Sequence, residues 1–582
     1  MSTRPYAVFF VLWAGFAVAM TLGCPATGEC AADTLTVIQR PLLNVPALVV
    51  PGSTLSIACE AAPGTSGWAA ELLRNEIHVP LQVISSTYDP TTLWWSVMAT
   101  IPPVPVYDLY DLVVTANGGI ADTTRHAVQV LPQFKDDYYF IHISDTHLPT
   151  ELYYYESGAD TDSSSMLDLR EIIRDVNIIN PEFVLITGDF INEGELEDYL
   201  SKHYFTRAQA LLGEFDVPVF LTSGNHDIGG WNDTPPPGGT ARHNWWKFFG
   251  WERLDSPPPG APSYTQDYSF DYGPVHYIGL EAYLNYEGWR PSIYGGQSFT
   301  SGQMQWLAND MALAGSATYV LFYHSDFSNQ INLTSLGADM ALSGHDHRDV
   351  GSISAPPYNL KTNNACNGER SYRLVRVSSG VLQPTATISA GSTGRNLNVV
   401  YSPANNGTNY TVTANITNNI AQRFEHAHLR FLMPNEAGAV TVTGGTLLQI
   451  DDSGPFAVCY VGVNILPSSS PTITVTLDPG SSVVPGSDPR RGVWLGPGCP
   501  NPCTSSTSIG FGLPTEEHVR ITVSDTQGRM VAVLVDRAFS AGEHSTIWDG
   551  RDDEQRQVSP GIYFARLAAR GQVRIQKILV AR

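Results

Sequence analysis

The sequence predicts a multidomain protein in which one α/β domain lies between segments built from β-strands alone. The chain has 582 residues, more than a single hydrophobic core accommodates. Towards both ends it carries short runs of alternating apolar and polar residues between turns rich in glycine and proline, a pattern typical of β-sandwiches. In the middle, continuous apolar strands alternate with segments of helical periodicity, which is typical of βαβ units.

The first 30 residues are predicted to be a secretory signal peptide. Arg4 supplies a positive flank, Tyr6–Gly23 is an apolar run, and small and polar residues follow. The two alternatives are a membrane anchor that is retained and a lipoprotein cleavage box that ends at Cys24. An exported chain can form disulfides, and Cys499 is near enough in sequence to Cys503 for a local pair.

Residues 31–135 are predicted to be an N-terminal β-sandwich. Runs such as "STLSIACEA", "WWSVMATI" and "YDLVVTANG" alternate between the two faces of a strand, and turns separate them. No cluster of polar residues in this segment suggests chemistry.

The α/β domain is predicted over residues 136–376. The runs "YYFIHIS", "FVLITGD" and "VPVFLTSGNHD" are apolar strands of the kind that is covered on both faces. The runs "SSSMLDLREIIRDVNIIN", "YLSKHYFTRAQALLGEF" and "SGQMQWLANDMALA" place apolar residues at helical spacing. This order of strands and helices predicts a layered α/β domain.

β-structure is predicted again after this domain. Residues 377–480 return to alternation and are expected to form a second β-sandwich. Residues 481–498 are rich in glycine, proline and serine and are expected to be a linker. Residues 499–582 are expected to form a last β module.

Five apolar strands of the α/β domain end in side chains that can bind a metal. The carboxyl ends of strands are where open α/β sheets hold their ligands. We therefore expect these side chains to converge on a pair of cations at a single sheet edge. They are Asp145 and His147, Asp189, Asn225 with His226 and Asp227, His324, and His345 with His347.

The mixture of imidazole, carboxylate and amide groups predicts two metal ions, and Mn, Fe or Zn suit these donors. Two close cations repel each other, so a carboxylate should lie between them, and Asp189 is the natural bridge. Two such ions could hold a hydroxide and clamp the oxygens of a phosphate ester during an in-line displacement.

The blocks "DTH", "GDFIN", "GNHD", "FYHSD" and "GHDH", in this order, resemble the calcineurin-like metallophosphoesterases from about Tyr138 to Arg348. The resemblance implies a four-layer α/β sandwich of two mixed β-sheets with flanking helices. It implies that His226 is unligated beside the phosphate and assists the leaving oxygen, and that Asp227 orients His226. It also implies two metal-binding sets, the first made of Asp145, His147, Asp189 and His347, the second of Asp189, Asn225, His324 and His345.

Two departures from the family pattern bear on these assignments. His324 is followed by Ser325 and Asp326, where the family often has a proline two residues after the histidine. Asn192 stands three residues after Asp189, where the purple acid phosphatases need a tyrosine. The chain therefore resembles the non-purple branch.

Other polar residues have simpler interpretations. His142 and His276 lie within apolar strands and are expected to be hydrogen-bonded core histidines, and His203 is expected on a solvated helix surface. His243, Trp245 and Trp246 follow the "GNHD" block in a loop rich in proline and glycine. They are expected either to line a substrate pocket or to pack this loop onto the domain.

The stretches "SIGFGLP", "VRITVSDTQGRMVAVLVD" and "SPGIYFARL" near the end of the sequence resemble the FlgD-type immunoglobulin-like module of exported bacterial proteins. Similar modules serve type IX secretion and surface attachment. The resemblance thus implies attachment to the cell envelope, and all three all-β segments are expected to be immunoglobulin-like sandwiches.

These observations predict a secreted bacterial phosphoesterase with two metal ions. A bridging hydroxide would attack a phosphomonoester or phosphodiester while His226 assists the leaving group. The formal net charge of −23 disfavours nucleic acid, so a small phosphate ester is the expected substrate. The alternative is a non-catalytic cell-surface binding or adhesion protein that uses the same fold as a scaffold.

Overall fold

The structure is a computed structural model of the chain. The predicted signal peptide and Cys24, Cys30 and Cys503 lie outside the described residues, as does most of the predicted linker. Within the described residues, no helix is both long and apolar enough to cross a membrane. The structure describes residues 34–150, 164–194, 196–197, 203–228, 240–250, 266–282, 298–315, 318–391, 394–479, 494–499, 506–513, 515–525, 529–540, 542–554, 556–569 and 572–580.

The N-terminal segment contains eight strands in the order β1-β3-β6-β5-β4-β7-β8-β2. The long strand β5 pairs with β4 through its first half and with β6 through its second half, so two layers share it. Alternate residues of β3, such as Leu55 and Ile57, are buried in the core. The strands are β1 (Ile38–Arg40), β2 (Ala47–Val49), β3 (Thr54–Glu60), β4 (Ala69–Arg74), β5 (Ile77–Asp89), β6 (Trp94–Thr100), β7 (Leu109–Ala116) and β8 (Ile120–Val130).

The α/β domain has two mixed sheets, as the resemblance to the calcineurin-like metallophosphoesterases implied. The first sheet has the order β11-β10-β9-β17-β18, with β19 paired to β17, and the second has the order β12-β13-β14-β15-β16. Each combines parallel and antiparallel pairs. The strands are β9 (Asp137–Ile143), β10 (Val184–Thr187), β11 (Val219–Thr222), β12 (Tyr268–Tyr272), β13 (Val275–Leu280), β14 (Thr318–Tyr323), β15 (Met340–Ser343), β16 (Tyr358–Lys361), β17 (Ser371–Ser378), β18 (Val381–Pro384) and β19 (Ile388–Ser389).

The two sheets pack face to face, and helices cover their outer faces. In β9, Phe140 belongs to the core between the sheets, whereas Ile141 belongs to the core that includes Ile172 of α1. Both faces of the strand are therefore buried, which explains its continuous apolar sequence. The helices are α1 (Ser164–Ile179), α2 (Tyr204–Leu212), α3 (Asn225–Ile228), α4 (Thr240–Phe249), α5 (Ser301–Ala314) and α6 (Leu333–Leu336).

Two predicted boundaries differ from the sheets that the structure has. The first sheet continues to Ser389, beyond the predicted end of the domain at residue 376, because the chain turns back at Gly380 and adds β18 and β19. Gly380 has φ +84°, a conformation that glycine adopts without strain. The end of the predicted linker forms a strand that pairs with the last module, at Trp494–Cys499.

The remaining strands form four small sheets, in the orders β20-β21-β26-β23, β22-β25-β24, β27-β28-β31 and β30-β29-β32-β33. They are β20 (Leu397–Ser402), β21 (Thr411–Asn418), β22 (Phe424–Pro434), β23 (Ala439–Thr443), β24 (Thr446–Asp451), β25 (Phe456–Ile465), β26 (Thr472–Asp478), β27 (Trp494–Cys499), β28 (Thr507–Leu513), β29 (Glu517–Asp525), β30 (Met530–Phe539), β31 (Gly542–Trp548), β32 (Gly561–Ala569) and β33 (Gln572–Val580).

A cluster of charged side chains joins the N-terminal segment, the α/β domain and the strands after residue 389. We call it the junction cluster and define it as Arg74, Asp108, Asp216, Arg430 and Tyr460. Arg74 Nη2 donates to Asp108 Oδ2 at 2.8 Å, and the Tyr460 hydroxyl donates to the same oxygen at 2.7 Å. Arg430 forms ion pairs with Asp108 and with Asp216, which follows α2. Three segments thus share one set of ion pairs.

Candidate metal centre

The predicted ligands follow five strands that come from both sheets of the α/β domain. β9, β10 and β11 belong to the first sheet, and β14 and β15 belong to the second. The prediction of a single sheet edge is therefore wrong. The carboxyl ends of two facing sheets form the site together, and the side chains still meet because these ends lie side by side.

Backbone conformation at the strand ends aims the side chains inward. Five of the predicted ligands have φ between 44° and 71°, a region that residues with a Cβ seldom adopt. A Cβ on Gly344 would lie 1.8 Å from Ser144 Oγ and 2.3 Å from Asp145 Oδ2, so only glycine lets β15 end against β9. The five residues are Asp145, His147, Asp189, His345 and His347.

The first predicted set has the spacing of ligands around one ion. His147 Nε2 lies 3.1 Å from His347 Nε2 and 3.8 Å from Asp189 Oδ2. His347 Nε2 lies 3.5 Å from Asp145 Oδ1. Two donor atoms that are each ~2.1 Å from an ion lie ~3 Å apart at a right angle and ~4.2 Å apart across it. These four side chains therefore fit a shared cation.

The second predicted set is equally close and shares an oxygen with the first. Asp189 Oδ2 lies 3.0 Å from His324 Nε2, which lies 3.2 Å from His345 Nδ1. Asn225 Oδ1 is buried and has no hydrogen-bond partner among the described residues. A buried oxygen that accepts no hydrogen bond lowers the stability of the folded state, so this amide fits a site in which a cation would be its partner.

Hydrogen bonds outside the sets orient two of the imidazoles. His324 Nδ1 donates to the carbonyl oxygen of Thr187 at 2.8 Å, and His147 Nδ1 is 3.0 Å from Asn192 Oδ1. Each ring therefore has a proton on Nδ1 and turns its Nε2 towards the other predicted ligands, the orientation that metal-binding histidines require.

Burial and charge set the protonation of the histidines in the metal-free site. Burial, followed by the neighbouring His226, lowers the pKa of His147 to about 3. Burial, followed by His324, lowers the pKa of His345 to about 4. Burial also opposes charge on His324, but the carboxylates of Asp189 and Asp145 outweigh it and raise its pKa to about 9. His147 and His345 are thus neutral near pH 7, the form that binds metals.

His226 lies beside the first set, and the resemblance implied that Asp227 orients it, but the Asp227 carboxylate is not the partner of His226 Nδ1. His226 is 7% exposed, and its ring centroid is 4.7 Å from that of His147. Its Nδ1 donates instead to the carbonyl oxygen of Asn192 at 2.6 Å. The Asp227 carboxylate accepts backbone N–H groups of Phe190, Ile191 and Gly224 at 2.7 to 3.2 Å.

This role of Asp227 follows from the turn that carries the site. Gly224 N lies in the turn between β11 and α3, whereas the N–H groups of Phe190 and Ile191 follow β10, and all three need an acceptor. Burial, followed by the charge of Asp189, raises the pKa of Asp227 to about 8. Asp227 therefore links the turns that follow β10 and β11, and the second of these turns carries His226.

Sequence reasoning missed two residues of the centre, Asn192 and Cys366. Asn192 stands where the purple acid phosphatases need a tyrosine. Its side-chain oxygen accepts from His147 Nδ1, and its carbonyl oxygen accepts from His226 Nδ1. Cys366 Sγ and ring nitrogens of His147 and His347 all lie within 4.8 Å of one another. A lone cysteine outside the family blocks carries no sequence signal of a metal site.

The other predictions for polar and aromatic residues have mixed outcomes. His142 bonds to two threonine hydroxyls at 2.8 Å, and His276 bonds to Asp271 and Asp310, so both are hydrogen-bonded core histidines as predicted. His203 precedes α2 instead of lying within it.

The "ARHNWWKFFG" segment forms a helix, α4, and not the predicted loop. Trp245 is fully buried and donates to Gln266 Oε1 at 2.9 Å, which is the packing alternative and not a pocket wall. The side chain of His243 lies outside the described residues.

Two family matches cover different parts of the chain. Residues 138–349 match the calcineurin-like phosphoesterase family, and residues 499–581 match the secretion system C-terminal sorting domain. A comparison with curated proteins returned no match.

Similar solved structures include two phosphatases and FlgD. A purple acid phosphatase from yellow lupin (Lupinus luteus) seeds is 11% identical, with a TM-score of 0.34, over 63% of this chain and 70% of that chain. A dimetal phosphatase from Danio rerio is 14% identical, with a TM-score of 0.32, over 44% of this chain and 100% of that chain. FlgD from P. aeruginosa is 23% identical, with a TM-score of 0.12, over 17% of this chain and 76% of that chain.

Proposed function

We propose that this chain, which carries a calcineurin-like phosphoesterase domain at residues 138–349, hydrolyses a phosphate monoester or diester with two bound metal ions. One observation carries the proposal: Asp189 Oδ2 is within 3.8 Å of an imidazole nitrogen from each of two ligand sets. The C-terminal sorting domain indicates a secreted or cell-surface bacterial protein, so the substrate is a phosphate ester met at or beyond the cell surface.

Each ligand set would hold one cation, and the donors suit Mn, Fe or Zn. Bound ions would supply Lewis-acid activation of water and would neutralise charge on the phosphate oxygens. Asp189 would serve both ions. One ion would be held by Asp145, His147, Asp189 and His347, and the other by Asp189, Asn225, His324 and His345.

His226 would serve the leaving group. Its Nδ1 is committed to the carbonyl of Asn192, so the proton that reaches the leaving oxygen would come from Nε2. Its backbone N–H donates to Asp189 Oδ1 at 2.9 Å, which ties its position to the shared carboxylate. Asp227 would be a positioning residue that holds the turn beneath His226.

Two substitutions separate metal binding from proton transfer. We expect Asp189→Ala to lose both bound metal and hydrolysis of bis-p-nitrophenyl phosphate, because both sets lose their common oxygen. We expect His226→Ala to keep its metal and lose hydrolysis by about 10²-fold or more, the usual contribution of a positioned acid. Metal content by mass spectrometry and initial rates measure the two effects.

His203→Ala is the matched control, since His203 lies outside the centre and its side chain is half-exposed. Full activity and full metal content in Asp189→Ala would overturn the proposal. If the proposal holds, hydrolysis rates for a panel of phosphate esters, measured with Mn, Fe, Zn and Ca in turn, would identify the substrate class and the active metal.

We also infer the roles of the flanking segments. The all-β segments at residues 31–135, 377–480 and 499–582 would be immunoglobulin-like modules, with a cleaved signal peptide at residues 1–30 and a linker at 481–498. The match at 499–581 supports export through type IX secretion and attachment of the last module to the cell envelope. Removal of residues 499–582 should leave the protein inside the producing cell.

A further inference from the structure

We propose that Cys366 is an additional ligand of the first metal position and makes this position selective for thiophilic metals. The inference deepens the proposed function, because it assumes that a cation binds at the first set. It assigns the two positions different preferences: one contains a sulfur donor, and the other contains only nitrogen and oxygen donors among the described residues.

The thiol lies where a further ligand of the first position would lie. Cys366 Sγ and ring nitrogens of His147 and His347 are within 4.8 Å of one another, and the Nε2 atoms of these two rings are 3.1 Å apart. Cys366 and His147 are buried, and Asn364 Nδ2 donates to Cys366 Sγ at 3.3 Å, so the thiol lies among polar groups and away from solvent. Two imidazoles and a thiolate form a set that zinc and iron bind readily.

Backbone bonds hold Cys366 against a predicted ligand. In the loop between β16 and β17, Ala365 N donates to Ser144 O at 3.0 Å and Cys366 N donates to Asp145 O at 3.4 Å. These acceptors lie at the end of β9, immediately around the Asp145 carboxylate. The position of the thiol is therefore coupled to the strand end that carries the first set.

The far side of the same loop is tied to a helix. Gly368 N donates to Asp168 Oδ2 at 2.7 Å, and Arg370 Nε donates to Asp168 Oδ1 at 2.7 Å. Asp168 lies on α1 and is buried. The loop is thus fixed at both ends, as a ligand-bearing loop needs to be to hold a donor in place.

Coordination would replace the S–H bond with a sulfur–metal bond and release the proton to solvent. Thiolates favour zinc, copper(I) and iron, whereas carboxylates and water suit manganese, magnesium and calcium. We therefore expect zinc, iron or cobalt to fill the first position and manganese to compete well only at the second.

Cobalt(II) gives a readout that is independent of catalysis. The full-length, metal-free protein is titrated with Co²⁺, and thiolate-to-cobalt charge-transfer absorption in the near ultraviolet is recorded. We expect the wild type to develop this band and Cys366→Ser to lack it. Cys59→Ser and Cys459→Ser are the matched controls, because both are buried thiols in β-strands of other segments, and both should keep the band.

Zinc X-ray absorption on the wild type tests the same point without any substitution. A sulfur scatterer at ~2.3 Å from zinc in the wild type that is lost in Cys366→Ser supports the inference. Zinc affinity in Cys366→Ser should fall about 10-fold or more while manganese affinity stays unchanged. If circular dichroism shows that Cys366→Ser is misfolded, the presence or absence of a sulfur scatterer in the zinc spectrum of the wild type tests the inference without the variant.

The outcomes distinguish this inference from the proposed function. Metal binding and hydrolysis without a sulfur ligand would overturn the role of Cys366 and leave the phosphoesterase intact. A charge-transfer band that persists in Cys366→Ser would also overturn it. Failure of any metal to bind would refute the proposed function itself.

Discussion

Gly344→Ala should damage the metal centre, because of the described glycines in the α/β domain Gly344 is the one whose added Cβ would lie nearest to another atom. The new Cβ would lie 1.8 Å from Ser144 Oγ and 2.3 Å from Asp145 Oδ2, whereas ordinary contact begins at 3.4 Å. Asp145 Oδ2 would have to retreat by about 1 Å. Rotation of the Asp145 carboxylate would not relieve this clash without breaking hydrogen bonds, because both of its oxygens accept from His345 N, at 2.9 and 3.0 Å.

A displacement of ~1 Å in a catalytic site costs about 10²-fold in rate. We therefore expect kcat/KM for bis-p-nitrophenyl phosphate to fall about 10²-fold in Gly344→Ala, with weaker metal binding at the first set. Initial rates at saturating metal and metal content after dialysis measure the two effects.

Gly213→Ala is the matched control within the same domain. Gly213 ends α2 with φ −69°, and its added Cβ would meet only Ala210 O, at 3.4 Å. This variant should match the wild type. Activity of Gly344→Ala within twofold of the wild type, with the protein folded by circular dichroism, would refute the reasoning about the strand ends.

Two further predictions concern stability. Carboxylates of Asp271 and Asp310 raise the pKa of His276 to about 9 despite its burial, so its stabilisation is full below pH 6.5 and is lost as pH rises through 9. His276→Gln should lower the free energy of unfolding by about 2 kcal/mol near pH 7 and by little above pH 9.5. The value at pH 7 is reduced for solvent screening because Asp271 is two-thirds exposed. Denaturation curves that differ from the wild type by the same amount at every pH would contradict this. Asp227→Ala strands three buried N–H groups and should cost about 3 kcal/mol, with partial rescue by Asp227→Asn; an unchanged melting temperature would count against it.

The sequence was most informative where hydrophobic periodicity and chemistry coincided. The helix predicted from "SGQMQWLANDMALA" is α5 at Ser301–Ala314, since its apolar spacing and its threonine cap are local signals. The predicted ligands could be chosen because each follows a buried strand, and the structure brings them close together. The resemblance implied two sheets, but the residues alone did not say which strands belong to which sheet, because strand neighbours depend on contacts between distant residues.

The contacts of Asn192, Asp227 and Cys366 in the site were not predicted, and they share one physical cause. Asn192, Asp227 and Cys366 act through backbone groups or through neighbours that are distant in sequence. Residue type alone does not say whether a carboxylate faces an imidazole or three amides. Helix α4 was missed because proline and glycine precede "ARHNWWKFFG" and masked its helical propensity.

The junction cluster bears on how this architecture can be recombined. Asp216 of the α/β domain forms an ion pair with Arg430 of β22. Asp108 forms ion pairs both with Arg430 and with Arg74 of β4. An α/β domain excised from its neighbours would leave Asp216 without its guanidinium partner and would expose the apolar face that packs on β22. Transplanting this domain into another chain would therefore require grafting these partners along with it.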